Sequence, residues 1–240
     1  MSGTSHQWAK ESKWVSFDCY GTLVDWLGGF TAILRPIAGE RTSELLQAYY
    51  HFEPQVQARK PHLRYREVLI ASLLLAAGEI SISMTEAEAR RLPEQWGSLP
   101  VIGDVESALA ELRKDGFKLA VLTNCDEDLF VLTQRSFQKP FDLVITAERV
   151  QEYKPSLAHF TRFKSVTGVH FSNWVHVANS WFHDIEPAIK MGIKNVWLDR
   201  EEQGAGRREP CLRITSAVEL PKIVRRVLNV TNLGEISDKG

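Results

Sequence analysis

The stretch Trp14-Val15-Ser16-Phe17-Asp18-Cys19-Tyr20-Gly21-Thr22-Leu23-Val24-Asp25 orders the reading of the whole chain. Its first four residues make a short apolar run, the signature of a buried strand, and Gly21 marks a turn soon after. Between them stands a carboxylate, Asp18, directly at the strand's carboxyl end. Capping of a following helix is the plain explanation for an Asp there. The other explanation is chemical, because open α/β sheets bind their ligands beyond the carboxyl ends of the strands.

Outward from that stretch, apolar runs recur at Lys118–Leu122, Asp142–Ile145, Trp174–Ala178 and Asn195–Leu198. Helical patterns near 104–115, 127–137, 156–167, 184–191 and 216–228 lie between and after them, with Gly116, Gly168 and Gly192 where helix ends are expected. Alternation of this kind predicts an α/β protein with a doubly wound parallel sheet. One interval breaks the rhythm. From Asp25 to about Leu99 the apolar spacing is helical throughout, over Thr42–Phe52, Arg64–Ala77 and Thr85–Gln95. The expectation is a helical cap inserted after the first strand, spanning 28–98 and bounded by Gly28-Gly29 and Leu99-Pro100. Residues 13–27 and 99–229 then form the core, and the polar ends 1–12 and 230–240 are expected to be flexible tails.

Composition narrows the class. The 240 residues are 44% hydrophobic and 25% charged with a formal net charge of -1, so no nucleic-acid or membrane partner is indicated. No run approaches the roughly 18–20 apolar residues that span a bilayer. Cys19, Cys125 and Cys211 are far apart and odd in number, which reads as reduced thiols in a cytoplasmic protein. The amino terminus lacks the apolar segment of a secretory signal.

Three further stations follow strand ends. Thr123-Asn124 offers a hydroxyl and an amide able to hold an anionic group, or to cap a helix. Lys154, before Pro155-Ser156, is either a surface charge or a cation aimed at the site. Asn179-Ser180-Trp181-Phe182-His183-Asp184 is a polar and aromatic turn ending in a second carboxylate. Taken in this order, an Asp, a Thr, a Lys and an acidic turn resemble the haloacid dehalogenase (HAD) superfamily across nearly the whole chain. The inserted helices fall where that superfamily carries its cap. The resemblance implies that Asp18 is a nucleophile forming a covalent aspartyl ester. It implies that Lys154 keeps Asp18 ionised and offsets its repulsion from Asp184.

Two positions choose between branches. Phosphatase members carry a second Asp two residues after the nucleophile and an acidic residue opening the last station, where magnesium binds. Here those positions are Tyr20 and Asn179. The pattern Asp-x-Tyr-Gly-Thr-Leu-x-Asp, with Thr-Asn and Tyr-Lys-Pro after it, is similar to the type II 2-haloacid dehalogenases, which need neither metal nor cofactor. That implies displacement of halide from a short (S)-2-haloacid with inversion, and Asp184 as base or positioner of the hydrolytic water. Thr22, Thr123 and Asn124 would hold the substrate carboxylate and the ester oxyanion, and Tyr20, Asn179, Ser180 and Trp181 would face the substrate. A homodimer through the cap is a family expectation.

One feature departs from the pattern. Those dehalogenases receive halide on a cap arginine, whereas the corresponding helix reads Gln47-Ala48-Tyr49-Tyr50-His51-Phe52-Glu53. His51 is the closest substitute; Arg59, Arg64 and Arg66 are alternatives or plain surface charges. Trp181, Phe182 and Phe52 line a larger apolar pocket or belong to the core. Another carbon electrophile, such as an epoxide or bulky metabolite, therefore stays open, followed by phosphatase activity and a non-catalytic binding role. Cys19 and Cys125 read as packing, His176 as a satisfied core histidine, and His183 as a lesser candidate for proton transfer.

Overall fold

In the computed structural model, which describes residues 11–202 and 212–229, all five expected strands form and pair in parallel. They are β1 (Trp14–Phe17), β2 (Lys118–Thr123), β3 (Leu143–Thr146), β4 (Trp174–Ala178) and β5 (Lys194–Leu198). A sixth, β6 (Arg213–Ile214), extends the sheet to the order β3-β2-β1-β4-β5-β6. At two residues it is too short to show a strand pattern in the sequence. Its backbone is recruited by the edge of β5, where Trp197 N–H donates to Leu212 O at 2.8 Å. In register, Phe17 lies beside Val121 on one side and Val177 on the other, so β1 is central and buried on both faces. The order reverses at β1, the switch point where a crevice opens at the carboxyl ends of β1 and β4.

Four helices form the insertion that follows β1: α1 (Trp26–Ala38), α2 (Thr42–Gln57), α3 (Tyr65–Glu79) and α4 (Glu86–Glu94). Then α5 (Val105–Lys114), α6 (Glu127–Gln134), α7 (Ala147–Val150), α8 (Ala158–Thr167), α9 (Glu186–Lys190) and α10 (Leu220–Val227) alternate with the remaining strands. Buried leucines and phenylalanines of the inserted helices join the core beneath β1 and β2 in one continuous apolar cluster. The first helix begins earlier than the boundary at Gly28-Gly29 predicts. Asp25 accepts the Gly28 N–H at 2.9 Å and caps α1, so both glycines lie in its first turn. Gly29 lets the helix approach closely: a Cβ there would come within 2.2 Å of Leu99 Cδ2, so the leucine side chain would have to shift.

Two devices among several fix the insertion to the core. Entering and leaving chains run side by side, with Val24 bridged antiparallel to Val101, Asp25 N–H donating to Pro100 O (2.9 Å) and Ile102 N–H to Leu23 O (2.9 Å). Farther along, the buried Asp126 after β2 accepts the backbone N–H groups of Tyr65 (2.7 Å) and Arg66 (3.0 Å), which open α3. These N–H groups have no partner within the helix, so the carboxylate satisfies both and suits the positive end of the helix dipole. Among the described residues no helix is long and apolar enough to cross a membrane. The expected tails, apart from residues 11 and 12, and Cys211 lie outside the described residues.

Candidate active site

Asp18, Asn124, Lys154 and Asp184 all reach one cavity of about 360 Å³ at the carboxyl ends of the strands. Lys154, buried among carboxylates, organises it. Its Nζ donates to Asp18 Oδ1 (2.8 Å), Asp184 Oδ1 (2.7 Å) and Leu122 O (2.9 Å). An ammonium has three N–H bonds, so all are used within the protein. The carboxylates hold the Lys154 ammonium above its ordinary pKa, although burial pulls the other way. Burial likewise works against ionised Asp184, but Lys154 and His176 prevail and lower its pKa to about 2.

The second oxygens of the two carboxylates differ. Asp18 Oδ2 accepts the Thr22 hydroxyl at 2.7 Å, and Thr22 Oγ1 in turn accepts the Asn179 N–H at 2.9 Å. Thr22 thus aims Asp18 from behind and is fully buried. Asp184 Oδ2 is buried with no hydrogen-bond partner among the described residues. Its partner oxygen, Oδ1, receives Lys154 and also His176 Nε2 at 3.0 Å.

The other expected residues divide. Asn124 clasps the backbone of Lys154, accepting its N–H (2.7 Å) and donating to its carbonyl (3.1 Å). Thr123 is fully buried and outside the cavity wall. Tyr20 lends its ring to the wall while its hydroxyl turns inward, accepting from Trp96 Nε1 (2.7 Å) and meeting Thr133 Oγ1 (2.8 Å). Burial raises the Tyr20 phenol well above its usual pKa, so the position that carries the acid in phosphatases holds no available proton donor. Asn179, also in the wall, accepts the Arg200 N–H at 3.2 Å through its amide oxygen. Ser180 Oγ accepts the His183 N–H (3.2 Å) and opens a wide helical turn, Trp181–Ile185, that carries Asp184. Trp181 lines the cavity against Trp197, and Phe182 stands at the rim, 57% exposed. His183 faces the cavity, its pKa lowered chiefly by burial.

His51 does not reach the cavity. It is exposed on α2, and the face turned to the site carries Tyr50, Glu53 and Gln57 instead. Their three- and four-residue spacing places them on one side of the helix, a signal present in the sequence. Phe52 packs against the core. Arg59 lies outside the cavity wall; Arg64 and Arg66 pair with Asp128 at 3.0 and 2.6 Å. Trp26 and Tyr65 complete the wall from the insertion, and Tyr65 donates its hydroxyl to Glu53 at 2.7 Å. Burial pushes the Glu53 carboxyl up. Among the described residues no group of three or more His, Cys, Asp or Glu side chains is arranged to hold a metal ion. Cys19 and Cys125 are free and buried, and burial raises both thiols far from thiolate formation.

A parallel α/β sheet with a helical insertion after β1, and a lysine shared by two carboxylates at the strand ends, are the architecture of an α/β hydrolase. The chain belongs to the haloacid dehalogenase-like hydrolase family, whose model matches residues 17–198. It is 23% identical to haloacetate dehalogenase H-2 of Moraxella sp. (strain B) over 80% of this chain and 87% of that protein. With the (S)-2-haloacid dehalogenase of Pseudomonas sp. (strain YL) the identity is 24%, over 87% of this chain and 94% of the relative. The fold also matches L-2-haloacid dehalogenase from Xanthobacter autotrophicus, solved with chloropropionic acid covalently bound. There the TM-score is 0.78 at 21% identity, covering 89% of this chain and 98% of that one.

Proposed function

We propose that this protein hydrolyses the carbon–halogen bond of a short (S)-2-haloacid, giving the (R)-2-hydroxyacid through a covalent ester on Asp18. The carrying observation is the pairing of Asp18, hydrogen-bonded to Lys154, with a second carboxylate on the same lysine that retains a buried oxygen without a partner among the described residues. In the first step Asp18 attacks the α-carbon, and halide leaves with its bonding electrons and needs no proton. That suits a site whose Tyr20 hydroxyl is turned away. In the second step water attacks the Asp18 carboxyl carbon of the ester, with Asp184 Oδ2 as its acceptor. The inserted helices serve as a cover that limits water at the site. The dehalogenase relatives support the reaction class.

One observation favours a second reading, in which the substrate is another carbon electrophile without a carboxylate. Lys154 is the only Lys or Arg among the described residues lining the cavity, and its three protons are already used, while Glu53 and Glu201 share the wall. Mass spectrometry of the Asp184→Asn variant after incubation with chloroacetate and 2-chloropropionate tests the leading reading. An adduct on the Asp18 peptide is expected, with halide release by the wild type. No halide from a panel of short and bulky haloacids would remove the dehalogenase reading. Phosphate release that EDTA abolishes would favour phosphatase chemistry instead.

A further inference from the structure

A chain of buried hydrogen bonds runs from the sheet interior to Asp184. Trp174 Nε1 donates to Ser16 Oγ at 2.7 Å, Ser16 Oγ meets His176 Nδ1 at 2.9 Å, and His176 Nε2 meets Asp184 Oδ1 at 3.0 Å. Ser16, Trp174, His176 and Asp184 are each fully buried. Strand pairing brings them together, since Ser16 of β1 stands in register with His176 of β4. The proton directions follow from the two ends. An indole N–H only donates, and an ionised carboxylate only accepts. In the neutral imidazole the arrangement that satisfies every group has the proton on Nε2, donated to Asp184, and Nδ1 taking the Ser16 O–H.

We propose that His176 is a positioning residue for hydrolysis of the ester, with Ser16 and Trp174 fixing its tautomer; this rests on the covalent-ester reading above. Asp184 Oδ1 receives two donors from different elements, Lys154 in the loop after α7 and His176 in β4. Lys154 alone leaves the carboxylate free to pivot about that contact. The second donor commits Oδ1 and leaves Oδ2, buried and unpartnered among the described residues, as the oxygen able to accept the attacking water. Asp18 receives no bond from His176, being held by Lys154 and Thr22, so formation of the ester does not need the chain. The chain acts on one half of the reaction.

The test separates the two halves by following ester at Asp18 with quenched-flow intact-protein mass spectrometry on 2-chloropropionate. His176→Met fills the space without an N–H. Its ester is expected to form within about threefold of the wild-type rate and to hydrolyse about ten- to a hundredfold more slowly, the range for losing a hydrogen bond to a charged group. Ester then accumulates toward one per chain in a burst. His176→Gln places an N–H the same number of bonds from the backbone and is expected to recover most of the hydrolysis rate. Ser16→Ala, which touches neither carboxylate, is expected to slow hydrolysis less than His176→Met does and to leave alkylation alone. Equal slowing of both steps in His176→Met, or no recovery in His176→Gln, would mean a packing role and overturn the proposal. If the wild type and the Asp184→Asn variant both form no adduct, the covalent-ester reading falls and this proposal with it. An adduct in Asp184→Asn beside unchanged ester hydrolysis in His176→Met sinks this proposal alone.

Discussion

Replacing Lys154 by Met keeps the length and apolar stem of the side chain but deletes the charge shared by Asp18 and Asp184. The two Oδ1 atoms sit 2.8 and 2.7 Å from the same nitrogen, so they lie at most about 5.5 Å apart. At an effective dielectric near 20, two unit charges at that distance repel by about 3 kcal/mol, equivalent to roughly 2 pKa units for one of them. Without the ammonium, the carboxylates share a proton, as paired acids do, and titrate as a coupled pair with a raised upper value. Ester formation requires ionised Asp18. The acid limb of the alkylation rate in Lys154→Met should therefore move to higher pH by at least the roughly 2 units that this repulsion supplies, because the attraction of the ammonium is lost as well, and the rate should climb as the pH is raised from 6 to 9. Folding stability at pH 7 should fall by about 3–5 kcal/mol, as when one partner of a buried ion pair is removed. Single-turnover alkylation across pH and urea denaturation read both quantities. A wild-type pH profile in this variant would refute the electrostatic account of Lys154.

Other outcomes follow from the same geometry. Asp184 has a folded-state pKa depressed to about 2, so its ionised form stabilises the fold above the ordinary Asp pKa near 4. That contribution, on the order of 2 kcal/mol, is lost as pH falls toward 2. The urea-stability gap between wild type and Asp184→Asn should thus narrow between pH 5 and pH 2; a constant gap would contradict the sign. Gly29→Ala places a methyl 2.2 Å from Leu99 Cδ2 and should cost about 1–3 kcal/mol, read as a lower urea midpoint with an unchanged slope.

The core was legible because its signals are local. Each strand is a short apolar run, Asp18 follows a strand end directly, and Lys154 and Asp184 come in the segments that lead away from β3 and β4, in an order that sequence alone preserves. The insertion was legible as helices, but not in its orientation. Which side of α2 meets the cavity is decided by how Leu45, Leu46 and Tyr49 pack, so Tyr50, Glu53 and Gln57 rather than His51 face the site. The boundary at Gly28-Gly29 misled for a related reason. A glycine pair signals a linker in sequence, whereas here it permits a helix to approach Leu99. His176 read as a core residue, and it is buried. Its link to Asp184 depends on strand register and the turn after β4, which no local pattern encodes.

The anchoring of α3 by Asp126 makes the junction lopsided toward mutation. Its two acceptor bonds are to main-chain N–H groups of Tyr65 and Arg66, which every amino acid except proline supplies. Side chains at those helix positions can be exchanged without cutting these two bonds, while on the other side a single carboxylate accepts both. The helix start can therefore be redrawn to reshape the cavity, Tyr65 included, provided that Asp126 is left alone.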